Sequence, residues 1–249
     1  MTTRLTALLL SLVLTVAAQD APTLIARGDA HDDAFRTQEA LACYLPALAQ
    51  RPNDAGLLVK IARQHAHRMN DLAKPAEKLA EGRTALEFAE RAVQAEPGRA
   101  EAHLAVAICL GKLTPLLGTR EKIEASKRLK SAAETAVKLD PRSDYAWHLL
   151  GRWHQALAGM SGLVKGIVRV VYGGLPPASS EEAVRCFQKA IALRPDRLIH
   201  PVELGRTYAQ MGRRDEARVF LQKGLALPPR EKDDPETLAR GRAALKALE

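Results

Sequence analysis

The sequence predicts an all-α fold, a tetratricopeptide-repeat-like right-handed solenoid of antiparallel helical hairpins, some of them lengthened, closed by a C-terminal capping helix. Three observations carry this expectation. Apolar residues recur at intervals of three and four in segments such as ALEFAERAVQ and EEAVRCFQKAIAL, the period of a helix that buries one face. Only 4% of the 249 residues are aromatic, and much of the 47% that is hydrophobic is Ala and Leu, a composition suited to closely approaching helices. Prolines at 52, 97, 141, 195 and 229 close successive units, and each of the first four is followed six residues later by the start of the next helix.

The simplest unit is the last. Leu204-Gly205, Tyr208, Gly212, Ala217, Leu221, Gly224 and Pro229 follow the tetratricopeptide pattern of helix, tight turn and second helix ended by proline. Going back to the amino end, residues 24–35 and 37–49 predict a degenerate first hairpin, with Ala40, Tyr44, Ala47 and Pro52 marking its second helix. An end unit is expected to be atypical, since one side has no neighbour. The second unit starts at Leu58 with Ile61-Ala62 and returns through Ala85, Ala89, Ala92 and Pro97; the third starts at His103 with Val106-Ala107 and returns through Leu129, Ala133, Ala136 and Pro141. Both carry extra residues between their two helices.

In the fourth unit Trp147, Leu150 and Gly151 sit in one helix and Ala183, Phe187, Ala190 and Pro195 in the next, with 20 further residues between them. That insert, ALAGMSGLVKGIVRVVYGGLPPASS, is the least repeat-like stretch after the amino-terminal leader; Val164, Ile167, Val168, Val170 and Val171 are expected to cover a neighbouring hairpin or to meet a lipid or partner. Pro176-Pro177 stops it, and Ser179 with Glu182 is spaced as a capping box for the return helix. Beyond Pro229, Asp234 is placed to cap a final helix with Pro235 at its first turn and a stripe of Leu238, Arg242, Leu245 and Leu248; it is expected to cover the last repeat.

Residues 1–18 read differently. Arg4 precedes an apolar run ending in Val16-Ala17-Ala18, the logic of a cleaved signal peptide, with retention as an anchor the alternative. The expected organisation is therefore a signal peptide over 1–18 and a single helical domain over 19–249, exported to a periplasm or secreted. Cys43, Cys109 and Cys186 lie in apolar helical segments without a CxxC pair and are expected as separate buried thiols. The net charge of +8 admits acidic protein or anionic lipid and leaves peripheral membrane association open. No basic stripe with aromatic platforms points to nucleic acid.

Chemistry is scarce. His65 and His67 would point roughly 200° apart on a helix, a poor metal pair, and the Tyr172-Gly173-Gly174 turn lacks the Lys-Ser/Thr of a phosphate loop. No enzyme, cofactor or metal is expected. One pattern recurs across units: Arg63 follows Ala62, Arg152 follows Gly151 and Arg206 follows Gly205. Equivalent positions of a solenoid stack along one line, so these arginines are expected on the inner face beside Tyr145, His148 and Val202. Such a line would suit an acidic peptide, a carboxyl terminus or an anionic head group.

The segments ARGDAHDDAFRTQEALACYLPAL, LLVKIARQHAHRMNDL and EKLAEGRTALEFAERAV, then the interrupted fourth unit with Leu150, Gly151, Arg152, Pro177, Glu182, Ala183 and Phe187, together resemble the regulator of microtubule dynamics protein family, in the same order. The resemblance covers roughly residues 26 to 248. It implies a helical-repeat domain and supplies no catalytic residues; for a membrane-contact-site member it also implies phospholipid binding or transfer. Composition and leader mark this chain as a bacterial, exported member, which would put microtubules out of reach. The expected function is a non-catalytic scaffold or adaptor binding a protein or peptide through its concave face. Anionic phospholipid binding or transfer is the alternative, and a continuous apolar tunnel would separate it from an open polar groove.

Overall fold

The computed structural model describes residues 19–249, and every regular element in it is helical. The expected signal peptide over 1–18 lies outside the described residues. Five hairpins follow one another: α1 (Ala21–Asp33) with α2 (Thr37–Gln50), α3 (Ala55–Asp71) with α4 (Pro75–Ala95), α5 (Ala100–Leu113) with α6 (Thr119–Leu139), α7 (Asp144–Ala158) with α9 (Ser180–Leu193), and α10 (Ile199–Gln210) with α11 (Arg214–Leu225). Between α7 and α9 lies α8 (Gly162–Tyr172), and α12 (Asp234–Lys246) ends the chain. Each hairpin packs on the next, as the tetratricopeptide-like solenoid requires.

The added residues of the second and third units lengthen helices. Helix α4 and helix α6 each run 21 residues, against 12 for α11 in the simple unit. A short 3-10 turn, Thr114–Leu116, completes the third hairpin. The fourth unit keeps ordinary lengths, 15 and 14 residues in α7 and α9, and spends its insertion on a separate helix.

Local sequence explains the boundaries. Asp20, Asp54, Ser143, Ser161 and Ser179 each accept a bond from a backbone N–H in the first turn of the helix that follows, satisfying a donor that has no intrahelical partner. Ser179 does so to Glu182 at 3.1 Å. The Glu182 carboxylate takes Arg185 as its partner, so only the serine half of the expected capping box is present. Gly212, at φ 77°, makes the left-handed turn between α10 and α11. Gly205 permits those helices to touch: a Cβ there would stand 2.8 Å from the backbone nitrogen of Leu221, a contact that backbone cannot relieve.

The interior is continuous from unit to unit. Tyr44, Phe187, Leu204 and Leu221 are fully buried, as are the small residues Ala62, Ala107 and Ala133 that let neighbours approach. Cys43, Cys109 and Cys186 are buried and unbridged. Burial pushes the Cys109 thiol up to about 12, so it is protonated and inert at neutral pH.

Helix α12 packs on α10 and α11 through part of the expected stripe: Leu248 is buried and Leu245 packs on the last unit's core. Arg242 is exposed and Leu238 half-buried, while Asp234, Thr237 and Gly241 turn inward beside the two leucines. Thin side chains bring this helix close: a Cβ on Gly241 would meet Leu225 at 3.1 Å and Val202 at 3.3 Å. Asp234 does not cap its own helix. Its carboxylate accepts the backbone N–H groups of Arg230 and Glu231 at 2.7 and 2.8 Å, folding residues 230–234 into a compact turn.

Candidate functional site

The recurring arginines hold equivalent places and brace neighbouring units. Arg63 of α3 pairs with Asp32 of α1, and Lys60, one turn earlier, pairs with Asp29 at 2.5 Å. Arg152 of α7 pairs with Glu203 of α10 at 2.5 Å. Arg206 reaches the same carboxylate from its own helix at 2.7 Å, and Arg240 of α12 lies 3.5 Å away. The structure thus brings Arg152 and Arg206 together around Glu203, while Arg63 serves a separate pair at the amino end.

Glu203 is completely buried. Burial pushes its carboxyl up, yet Arg152, Arg206 and Arg240 outweigh that effect and hold it below the ordinary carboxylate range. Arg240 also pairs with Glu236 at 2.6 Å, so three guanidinium groups on two carboxylates leave a local excess of one positive charge. Glu203 and Arg240 escaped the sequence reading because position 203 is Lys60 in the second unit and Leu149 in the fourth, so no repeat pattern marks an acid there. The available signal was the Glu203–Arg206 spacing, one helical turn with opposite charges.

Val202 is fully buried in the last unit's core, beside Gly224 and Gly241, and offers nothing to a ligand. Tyr145 and His148 belong to a second polar cluster. His200 Nε2 donates to Asp144 at 2.7 Å, and the Nδ1 atoms of His148 and His200 are 3.1 Å apart. With His200 neutral and protonated on Nε2, its Nδ1 accepts and His148 donates. Burial lowers the pKa of His148 well below the ordinary imidazole value and lowers that of His200, where Asp144 partly opposes it. Arg197 completes the group, 2.5 Å from Asp144 and stacked 4.7 Å over the Tyr145 ring.

The inner face, formed by the first helix of each hairpin, is crossed by the chain's own residues 230–234. Asp233 takes Asn70 of α3 at 2.5 Å and Lys112 of α5 at 2.9 Å. Lys232 reaches Asp71 and Thr37, both at 2.8 Å. Glu231 binds Arg197 at 2.7 Å and accepts from Tyr145 at 3.3 Å. With Arg240 on Glu203, this terminal segment holds all four first helices from α3 to α10. These contacts are polar and ionic.

Beyond the crossing, a cleft of about 680 Å³ opens at the carboxyl end of the solenoid, between α7, α10 and α12. Arg152, Arg206 and Arg214 stand on its walls, Ala and Gly residues such as Ala156 and Ala244 give it width, and among the described residues no carboxylate lines it. The side chain of Arg152 keeps 40% of its surface exposed there. Among the described residues no group of three or more His, Cys, Asp or Glu is placed to hold a metal.

Comparison with known proteins agrees with this architecture. A thermophilic tetratricopeptide-repeat protein of Thermus thermophilus superposes with a TM-score of 0.67 at 21% identity, over 91% of this chain and 99% of that one, a likeness of fold. Regulator of microtubule dynamics protein 1 from mouse is 28% identical over 165 residues, 66% of this chain and 54% of the mouse protein. The protein of that name from Caenorhabditis elegans is 26% identical over 168 residues, 68% of this chain and 73% of its own. The chain spans about half the length of the mammalian type 1 relatives it matches. These relatives overturn the expectation of a bacterial, exported, periplasmic or secreted protein: they come from mouse, rat, cattle, human and nematode and are named for microtubules, a polymer of the cell interior. The ground for setting microtubules aside falls with it. The fold is that of a helical-repeat solenoid, and the profile of the family described as regulator of microtubule dynamics protein 1-3 matches residues 24–249, so the chain belongs to that family.

Proposed function

We propose that this protein is a scaffold that takes an acidic peptide segment of a partner protein into the cleft bordered by Arg152, Arg206 and Arg214. The observation that carries this reading is the imbalance of charge: three arginines border the cleft, no carboxylate among the described residues lines it, and Glu203 beneath them is buried and already shared. Guanidinium forks match carboxylates in bidentate geometry, which selects an anionic segment over a neutral one. Polar filling of the inner face favours peptide over enclosed acyl chains, so the phospholipid-transfer alternative has less support.

The relatives' name makes the acidic surface of the microtubule the first full-size partner to test. Fluorescence anisotropy with a labelled hexaglutamate peptide should show saturable binding that weakens as salt rises. The double substitution Arg152→Gln and Arg206→Gln should reduce affinity about tenfold, one to two kcal/mol for lost charge-assisted bonds. Binding that survives the double substitution would place the site elsewhere. Sedimentation of the protein with assembled microtubules, compared between the two forms, then tests the larger partner.

A further inference from the structure

Helix α8 stands apart from the repeat core. Among the described residues it makes no extended contact with any other helix, and of its described side chains Val168 is the buried one. The insert is held at its ends, where Leu157 and Ala178 pack on the central core. Between them Leu163, Val164, Ile167, Val170 and Val171 are exposed, Val170 by 85%. At 100° per residue these five share one side of the helix, and Lys165 and Arg169 occupy register positions on the other. Elsewhere the exposed large apolar residues are scattered singly, as Phe35, Leu45, Leu139 and Val219.

Charge and size identify what covers this face. Between Asp144 and Glu181 the sequence has no carboxylate, while Lys165 and Arg169 lie within α8 itself. An 11-residue helix is about 16 Å long and 10–12 Å across, which gives a face on the order of 200 Å². A stable pairing of two copies needs roughly 800 Å² from each, so α8 against α8 is too small to hold a dimer. A bilayer sets no such minimum, because it surrounds whatever is inserted. A short helix with one apolar side, a cationic opposite side and no acids is the pattern that lies in the interface of an anionic membrane.

We infer that α8 is a membrane-docking element that lays Leu163, Ile167 and Val170 into the surface of a bilayer containing anionic phospholipid. The helix rests in the plane of the interface. No helix among the described residues is long and apolar enough to cross a membrane, and α8 is too short to do so. Docking this way leaves the arginine cleft and the repeat core unchanged, since none of the inserted residues belongs to either.

Flotation of the protein with vesicles of phosphatidylcholine, and with vesicles that are one-third phosphatidylserine, tests this. Binding is expected to the second, and the double substitution Ile167→Asp with Val170→Asp should lower the partition about tenfold or more. Val170→Leu should retain binding, and Val219→Asp, an exposed apolar position on α11, should leave it unaltered. Circular dichroism melting reports whether each variant is folded. Failure of the wild-type protein to bind, or equal binding by the aspartate double variant, overturns the inference. So does a wild-type dimer that the double variant dissolves without any vesicle binding, which would make a second copy the occupant.

Discussion

Two helices lie outside the five hairpins, and they are joined to the rest in opposite ways. Helix α8 has a sharply one-sided apolar pattern and leaves it facing outward. Helix α12 has a weak pattern and is drawn in, through Thr237, Gly241 and Leu248 on one side and Arg240 on Glu203. Periodicity therefore reports where a helix is able to bury surface, while close packing here follows from thin side chains and a buried charge partner. Buried Leu248 contributes about 2 kcal/mol by itself, and Gly241 sets how near the helix comes.

The sharpest way to break the contrast is Glu203→Gln. Removing the carboxylate leaves Arg152 and Arg206 without an acid among the described residues and Arg240 with Glu236 alone, and should cost about 3 kcal/mol, read as a lowered urea midpoint with the slope unchanged. A loss under about 1 kcal/mol would mean that water screens the cluster more than its burial implies. Gly241→Leu comes next. It should cost about 2 kcal/mol by overpacking against Val202 and Leu225, and amide exchange should speed up in α12 before the hairpins.

Acid supplies a third test through the cluster that anchors residues 230–234. His148 and His200 have folded pKa values below the imidazole value of the unfolded chain, so the unfolded state takes up protons first as pH falls. Stability should be level above about pH 6.5 and decline below it, by about 1.4 kcal/mol per pH unit for each group while it stays neutral in the fold. Melting at pH 7.5 and 5.5 checks this, and His148→Gln with His200→Gln should reduce the slope, leaving the share of His67 and His154, whose values burial also lowers. The smallest effect belongs to α8: Val170→Asp should change stability by no more than about 0.5 kcal/mol, and a larger loss would show that its outward face is covered after all.

Most of the repeat fold was legible in the sequence because it is written many times. Small residues such as Ala62, Gly151 and Gly205, and the prolines after each second helix, recur at matching positions, and one clean copy measures the others. Features that occur once were harder. The inward side of α12 is half legible: the stripe finds Leu245 and Leu248, but Leu238 and Arg242 look more suitable for burial than Thr237 and Gly241, which are the residues buried. The arginine line was half visible: recurrence located Arg63, Arg152 and Arg206, but their partners Asp32 and Glu203 occupy unrelated positions on neighbouring helices. The crossing by residues 230–234 left no local trace, since its partners on other helices and turns lie 34 to 195 positions away in the chain and become neighbours only when the helices stack.

That crossing also governs how the molecule comes together. A stack of hairpins with contacts only between neighbours can unzip from either end, one unit at a time. Here Lys232 touches Thr37 and Asp71, so loosening the first units releases the last and the reverse holds too. Such long loops close slowly and bind the ends into one cooperative transition. On the ribosome, residues 230–234 emerge after every hairpin they touch, so early units wait as an incomplete stack until the final segment arrives to lock them.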